Sequence, residues 1–161
     1  MIKRNKKVED CFLRVKKDYS KFLKKEKIFD KSRATQITNL KRIYIPLSFW
    51  IDNKFRRKEK TLFFGFSGGQ GTGKTIGAAI LKIILKKYFK RKIYVSSIDD
   101  FYKTLKDRNE MSSTINPLLK TRGVPGTHDV NLIKKFFDFI KKKKFKKFKL
   151  PKFDKSADDR S

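Results

Sequence analysis

Cysteine, acidic residues and long apolar runs are scarce in this 161-residue sequence, and each scarcity excludes a class of protein. The single Cys11 cannot form an internal disulfide, which excludes a disulfide-stabilised scaffold and suits a reducing compartment. No apolar run approaches the length of a membrane-spanning helix, and residues 1–10 contain no apolar segment of the signal-peptide kind. The sequence therefore predicts a cytoplasmic protein that does not act at a membrane.

The shortage of acids gives a formal net charge of +28, which is typical of proteins that bind nucleic acid or anionic membranes. The basic residues are nevertheless spread along the whole chain, and Lys outnumbers Arg by 34 to 10. This distribution favours a compositional drift toward lysine over a selected binding face. We therefore expect no specific nucleic-acid partner, only weak binding at low salt, and a basic nucleic-acid-associated ATPase is the least favoured function.

The length supports one ordinary domain, and the 16 Phe residues offer large apolar surfaces for its core. Residues 1–55 predict a basic helical extension that packs on a core domain formed by residues 56–161. In the extension, apolar residues recur at helical spacing through residues 3–33, with Cys11 beside them as a small core residue. Pro46 predicts the first turn of a short helix that carries Trp50.

Residues 65–75 contain the pattern G-x-x-x-x-G-K-T, the spacing of a phosphate-binding P-loop. Glycines allow backbone N–H groups to converge on phosphates, while the lysine reaches the β and γ phosphates and the threonine hydroxyl holds Mg²⁺. The apolar run 62–66 predicts a buried strand before the loop, and apolar spacing predicts a helix over 75–89 after it. The predicted nucleotide-binding residues are Gly68, Gly69, Gln70, Gly71, Thr72, Gly73, Lys74 and Thr75.

A second strand is predicted over residues 93–98, and it ends directly in two acids, Asp99 and Asp100. Carboxylates at the carboxyl end of a strand lie on the ligand side of an open α/β sheet. An Asp in this position also commonly caps a helix. We therefore expect one of the two acids to be catalytic and the other structural.

The loop at 121–129 is dense in turn-forming residues and contains the chain's single histidine, His128, beside Arg122 and Asp129. Such a loop is a candidate for hydrogen-bonding a small polar substrate. Apolar spacing then predicts a helix over 130–144, and the run from residue 148 to Asp154 is expected to be extended. The sequence thus predicts an α/β fold: a P-loop NTPase-type parallel sheet flanked by helices, incomplete in this chain.

Four stretches, at residues 65–75, 97–102, 122–129 and 150–160, together resemble one enzyme family. They are similar to D-glycerate 3-kinase, the glycerate kinase of the plant and fungal type, and its bacterial relatives. That family belongs to the superfamily of uridine kinase, phosphoribulokinase and pantothenate kinase. The resemblance covers residues 43–161, and the combination is specific although each piece singly is not.

The resemblance implies transfer of the ATP γ-phosphoryl group to a hydroxyl of a small acid, with D-glycerate as the first candidate and ATP and Mg²⁺ as cofactors. Asp99 matches the acid that opens the family's Asp-x-Phe-Tyr motif, so it would orient or deprotonate the hydroxyl and, with Thr75, face the metal. Lys74 and Asp99 are the implied catalytic residues. The implied substrate-binding residues are Asp100, Tyr102, Arg122, His128, Asp129, Asp154 and Arg160.

The resemblance also implies missing parts, because in these kinases further strands bring a second acidic strand end and a lid with arginines. One of those strands lies between the two strands predicted here, so the sheet would be left with unpaired edges. We therefore expect an N-terminal portion of a longer kinase, with the missing C-terminal half as its partner and little activity of its own. The alternatives are a non-catalytic nucleotide-binding protein and a uridine- or pantothenate-type kinase.

Overall fold

The computed structural model describes residues 6–28, 32–58, 61–142 and 149–160, and the chain divides into two compact units, Met1–Val95 and Ser96–Ser161. The first unit contains α1 (Lys6–Lys25), α2 (Arg33–Asn39), a π-helical turn (Leu40–Tyr44), α3 (Ile45–Lys58) and α4 (Lys74–Lys87). The boundary predicted after residue 55 falls within α3, and the proposed domain division stays a prediction.

The core of the first unit forms where one apolar face of α1 meets α3 and α4. Cys11, Val15, Tyr19 and Leu23 follow each other at four-residue steps and are all buried. Because this spacing puts side chains on one face of a helix, the four form a continuous stripe. The stripe packs against Leu40, Ile45, Ile80 and Ile84. The predicted amphipathic helix and the core position of Cys11 are confirmed.

Pro46 lies in the first turn of α3, as predicted, but the helix is neither short nor separate. Residues 33–58 are helical without a break, and the π-helical turn ends two residues before Pro46. The Ile45 N–H donates to the carbonyl of Leu40, five residues back. Proline has no N–H and its ring clashes with the carbonyl four residues earlier in an α-helix. The wider turn lets the chain continue past the proline, which sequence spacing did not indicate.

The two predicted parallel strands, at 62–66 and 93–98, have no regular secondary structure, and residue 98 instead begins a 3₁₀ helix. Leu62 and Ile93 do pack on Ile51, Leu81 and Leu85, so both runs contact the apolar core of the first unit. A strand is stabilised by hydrogen bonds to a neighbouring strand, and the described residues supply no such neighbour for either run. The structure is therefore mostly helical rather than built on a sheet.

The second unit is a set of short elements. It contains a 3₁₀ helix (Ile98–Phe101), α5 (Leu105–Thr114), a second 3₁₀ helix (Pro117–Lys120), α6 (Val130–Lys141) and the antiparallel strands β1 (Phe153–Asp154) and β2 (Asp159–Arg160). The sequence did not predict α5, whose start is fixed by reciprocal hydrogen bonds between Thr104 and Asp107. The helix predicted over 130–144 ends at Lys141, and residues 143–148 lie outside the described residues.

None of the helices in the described part of the chain is both long enough and apolar enough to cross a membrane.

Candidate functional site

The glycine-rich loop joins residue 67 to α4 and lies in the first unit. Gly71 and Gly73 have backbone φ angles of 76° and 77°, a left-handed conformation that side chains with a Cβ disfavour. Gly73 is the residue directly before α4. The N–H groups of residues 71–75 donate no hydrogen bond to any described residue. They are the free donors of a helix N-terminus, the arrangement that binds phosphate.

Lys74 folds back over this loop. Its ammonium donates hydrogen bonds to the carbonyls of Gly68 at 2.7 Å and Gly69 at 2.6 Å. The Thr72 hydroxyl donates to the Gly69 carbonyl at 2.9 Å, which closes the turn. A phosphate is a stronger acceptor for an ammonium than a neutral carbonyl, because both groups are then charged. Hydrogen bonds within the loop therefore hold its conformation, and the Lys74 ammonium lies against its carbonyls.

Thr75 is exposed at the first turn of α4, and its hydroxyl contacts no described residue. Among the described residues, no group of three or more His, Cys, Asp and Glu side chains could hold a metal ion. Mg²⁺ in kinases is usually held by one or two protein groups, with phosphate oxygens and water filling the other positions. The open Thr75 hydroxyl fits that role.

Asp99 and Asp100 lie in the second unit, in the 3₁₀ helix that follows residue 97. Asp100 is fully engaged by the backbone: one carboxylate oxygen accepts the Ser97 N–H at 2.9 Å and the other the Phe153 N–H at 3.3 Å. Asp99 instead pairs with the Lys155 ammonium at 3.1 Å and keeps a third of its side chain exposed. Of the two acids, Asp99 has the carboxylate that a substrate can reach.

Tyr102 and His128 stack on each other, with ring centroids 4.2 Å apart and planes inclined by 27°. Their backbones form an antiparallel bridge. Burial raises the pKa of Tyr102, and the negative charge of Asp99 adds to the effect. His128 has a buried Nε2 atom that no described residue bonds. An unpaired buried nitrogen is costly, so this atom is a candidate partner for a ligand hydroxyl or water.

Asp129 precedes α6 and accepts two hydrogen bonds. One oxygen accepts the Leu132 N–H at 2.9 Å, which caps the helix, and the other accepts from the Arg160 guanidinium at 3.1 Å. Burial alone would raise the pKa of Asp129, but these two donors outweigh it and lower that pKa. The predicted residues Asp129 and Arg160 thus form an ion pair.

The turn between β1 and β2 engages Asp154 in the same way. Its carboxylate accepts from the hydroxyl and the N–H of Ser156 and from the N–H of Ala157. These hydrogen bonds, with the Ser156 hydroxyl first, lower the pKa of Asp154. The side chain shapes the turn and remains exposed to solvent.

Arg122 belongs to a larger cluster that sequence reasoning missed. Its guanidinium pairs with Asp158 and lies 5.6 Å from the centre of the Phe153 ring. The same Asp158 pairs at 3.0 Å with Arg108, whose side chain is completely buried. Arg108 also donates to the carbonyls of Lys103 and of residues 120 and 158. Burial favours a raised pKa for Asp158, yet the two arginines lower it.

In the second unit, the structure therefore brings four predicted site residues into three ion pairs: Asp99 with Lys155, Arg122 with Asp158, and Asp129 with Arg160. Three of the six partners come from the β1–β2 hairpin. Lys155 and Asp158 lie inside a motif that the sequence singled out, but nothing distinguished them there. Arg108 lies in a polar stretch with no pattern, so no sequence signal identified it.

Comparison with known proteins gives partial matches. No protein-family model matches the sequence. Over 101 residues the chain is 40% identical to "Probable ATP-dependent kinase TDA10" of Saccharomyces cerevisiae. This match covers 60% of this chain and 33% of that protein. It is 29% identical over 109 residues to "Uncharacterized kinase mug58" of Schizosaccharomyces pombe, covering 66% of this chain and 39% of that protein.

One solved structure, titled "Structure of YGR205w protein", is similar to 71% of this chain, with a TM-score of 0.61 and 35% identity. The match covers 44% of that protein. The chain thus spans between about a third and somewhat less than half of the proteins that it resembles.

Proposed function

We propose that this chain is the ATP-binding part of a small-molecule kinase that transfers the γ-phosphoryl group of ATP to a hydroxyl. The observation that carries the proposal is the loop before α4, with left-handed Gly71 and Gly73, unpaired N–H groups and the ammonium of Lys74 folded over it. Two relatives named as kinases support the same reading. The P-loop sheet of such kinases would be completed by parts that the described residues do not supply.

In this proposal each residue has one role. The loop N–H groups and Lys74 hold the β and γ phosphates and stabilise the charge that develops on them. Thr75 contributes one oxygen to Mg²⁺, which shields the phosphate charge when it is bound. Asp99 orients the acceptor hydroxyl, and its ion pair with Lys155 holds the carboxylate in place.

The acceptor that we propose is D-glycerate, converted to 3-phosphoglycerate. Arg122 and Arg160 supply cations for a carboxylate, and His128 supplies a buried nitrogen that no described residue bonds. Arginine suits this role because its planar fork matches a carboxylate. Asp100, Tyr102, Asp129 and Asp154 shape this part of the second unit through their own contacts.

ATP binding by the purified chain tests the loop. We expect calorimetry to detect Mg-ATP binding that Lys74→Ala weakens by about a hundredfold, because the lysine contacts two phosphates. The control is Lys82→Ala, which removes an exposed lysine from the same helix. Equal loss in both variants, or none in Lys74→Ala, would contradict the nucleotide assignment.

Transfer of phosphate tests the kinase and its acceptor. We expect the 161-residue chain alone to phosphorylate glycerate little or not at all; measurable turnover would overturn that expectation. A longer gene product that also contains the remaining parts of such a kinase should be active. In that product, Asp99→Asn should lower kcat by two or more orders of magnitude, as expected for loss of the group that orients the nucleophile. Asp138→Asn, an exposed acid on α6, is the matched control.

One observation favours a second candidate, a nucleotide-binding protein without catalysis. The described residues offer no carboxylate cluster for a metal, and Asp99 is already paired with Lys155. Such a protein would bind ATP through the loop and transfer no phosphate to glycerate, uridine or pantothenate, even as the longer product. Transfer to uridine or pantothenate instead would assign the related kinase types.

A further inference from the structure

A groove of about 750 Å³ lies in the first unit, between α1, α3 and the end of α4, and the proposed kinase chemistry does not use it. Its floor consists of Phe49, Tyr88 and Phe89, whose rings contact one another with centroids 4.9–5.6 Å apart. Trp50, the single tryptophan of the chain, lines the groove and is half exposed. The volume falls in the range of small-molecule sites.

Two arginines at the rim of this groove each pair with an aspartate four residues earlier in the same helix. The Nε atom of Arg14 donates a hydrogen bond to Asp10 at 3.2 Å, and the Nε atom of Arg56 lies 2.7 Å from a carboxylate oxygen of Asp52 in an ion pair. No described residue accepts a hydrogen bond from the terminal nitrogens of either guanidinium. Each aspartate lies closest to the Nε atom of its arginine, so the two outer nitrogens of each guanidinium remain available for bidentate binding of an oxyanion.

The anchors of these arginines are built into the unit. The Asp52 side chain is only 4% exposed and is shared with Arg91 at 2.7 Å, so two positive charges meet one negative charge there. Asp10 also accepts the Tyr88 hydroxyl at 2.9 Å, and the Arg14 guanidinium lies 5.5 Å from the centre of the Tyr88 ring. The groove thus combines an aromatic floor with a net positive rim.

The groove is separate from the glycine-rich loop. The loop precedes the first residue of α4, Lys74, whereas Tyr88 and Phe89 directly follow its last residue, Lys87. A 14-residue helix is about 21 Å long. A ligand in the groove therefore contacts neither the loop N–H groups nor Lys74.

We propose that this groove binds a small anion that carries a planar aromatic ring, with the size and chemistry of a nucleoside monophosphate. The ring stacks on the exposed indole of Trp50 and packs on the aromatic floor, an interaction that any nucleobase can make. The anionic group accepts hydrogen bonds from the outer nitrogens of Arg14 and Arg56. The apolar floor and the paired arginines together select for a ligand that has both the ring and the charge.

AMP is the test ligand, because it carries both an aromatic ring and an anionic group. Trp50 fluorescence detects its binding in the groove, and calorimetry measures the binding independently. We expect AMP to change the Trp50 emission and to bind at least tenfold more tightly than adenosine, which lacks the charge, or inorganic phosphate, which lacks the ring. Arg14→Gln and Arg56→Gln should each weaken AMP binding about tenfold, the loss of one charged hydrogen-bonding group. Arg57→Gln, an exposed neighbour outside the groove, is the matched control and should bind AMP normally.

Four results would overturn the proposal: no AMP binding in calorimetry at millimolar concentration, equal binding of phosphate alone, equal loss in the Arg57 variant, or binding only of oligonucleotides. Lys74→Ala separates the two sites. If this variant no longer binds AMP, then AMP binds at the loop and the groove proposal is wrong. If the variant loses ATP binding and retains AMP binding, the chain has two sites. Failure of ATP binding in the unaltered chain would count against the proposed kinase and leave this result unaffected.

Discussion

Each of the two units of this chain is stabilised by a different kind of interaction. In the first unit the buried side chains are largely apolar, with Cys11, Val15, Leu40, Ile45 and Ile84 almost fully enclosed. In the second unit the largest fully buried side chain is a cation, Arg108, and the ion pairs of the hairpin fix the positions of the neighbouring loops. Apolar burial does not depend on direction or pH, whereas a buried charge network depends on both.

Removal of the Arg108 guanidinium should cause the largest loss of stability, and that loss should fall on the second unit. In Arg108→Ala, Asp158 loses its buried partner and the Lys103 and Lys120 carbonyls lose their donor, so we expect a loss of about 4 kcal/mol of unfolding free energy. Hydrogen exchange with mass spectrometry should show peptides from residues 96–161 losing protection. A change no greater than that of Arg57→Ala would show that the network does not hold this unit.

A cavity in the apolar core should destabilise the first unit. Ile84 is 1% exposed, so Ile84→Ala should cost about 3 kcal/mol through lost burial and a cavity that relaxes only in part. The half-buried neighbour Ile83 offers a control, and Ile83→Ala should cost less than half as much. Urea unfolding monitored by Trp50 fluorescence measures both, because Trp50 lies in the first unit. Equal losses would mean that the two positions are packed alike.

Acid should destabilise the second unit more than the first. Four aspartates of the second unit have lowered pKa values: Asp129, Asp154, Asp158 and Asp159. A carboxyl whose pKa is lowered by folding stabilises the fold above its unfolded pKa, which is near 4. That contribution is lost as pH falls through the lower folded values. Circular dichroism should therefore report partial unfolding below about pH 4 before Trp50 emission changes. Coincident transitions would contradict the comparison.

The smallest effect that we expect near neutral pH is the reaction of the Cys11 thiol with a thiol reagent. Burial raises the pKa of Cys11 to about 12, with the Asp10 charge adding to the rise. Only the thiolate reacts, so a thiol reagent at pH 8 should leave the native chain unmodified and label it after denaturation. A group with a raised folded pKa stabilises below its unfolded pKa and loses that contribution as pH rises toward the folded value. Labelling of the native chain at pH 8 would indicate that the first unit opens locally.

Sequence patterns identified the parts of the structure that local interactions control. Four-residue spacing was enough to predict α1 and α4, and the Gly-x-x-x-x-Gly-Lys-Thr pattern was enough to predict a glycine-rich loop before a helix. The predicted strands at 62–66 and 93–98 failed in the described residues because a strand depends on a neighbour that its own residues cannot specify. The continuous helix through Pro46 required a π-helical turn, which no spacing rule indicates.

What the sequence determined by itself is the loop, its lysine and the helix that follows, because the glycines and the apolar spacing act over only a few residues. Tertiary structure decided which charges are partners. Asp158 holds Arg108 and Arg122 across 50 and 36 residues of chain. Asp52 pairs with Arg91 and with Arg56, and Arg56 lines a groove that no motif predicted. In a chain with 44 basic residues, charge alone cannot identify those few arginines, since only burial and distance distinguish them from the exposed majority.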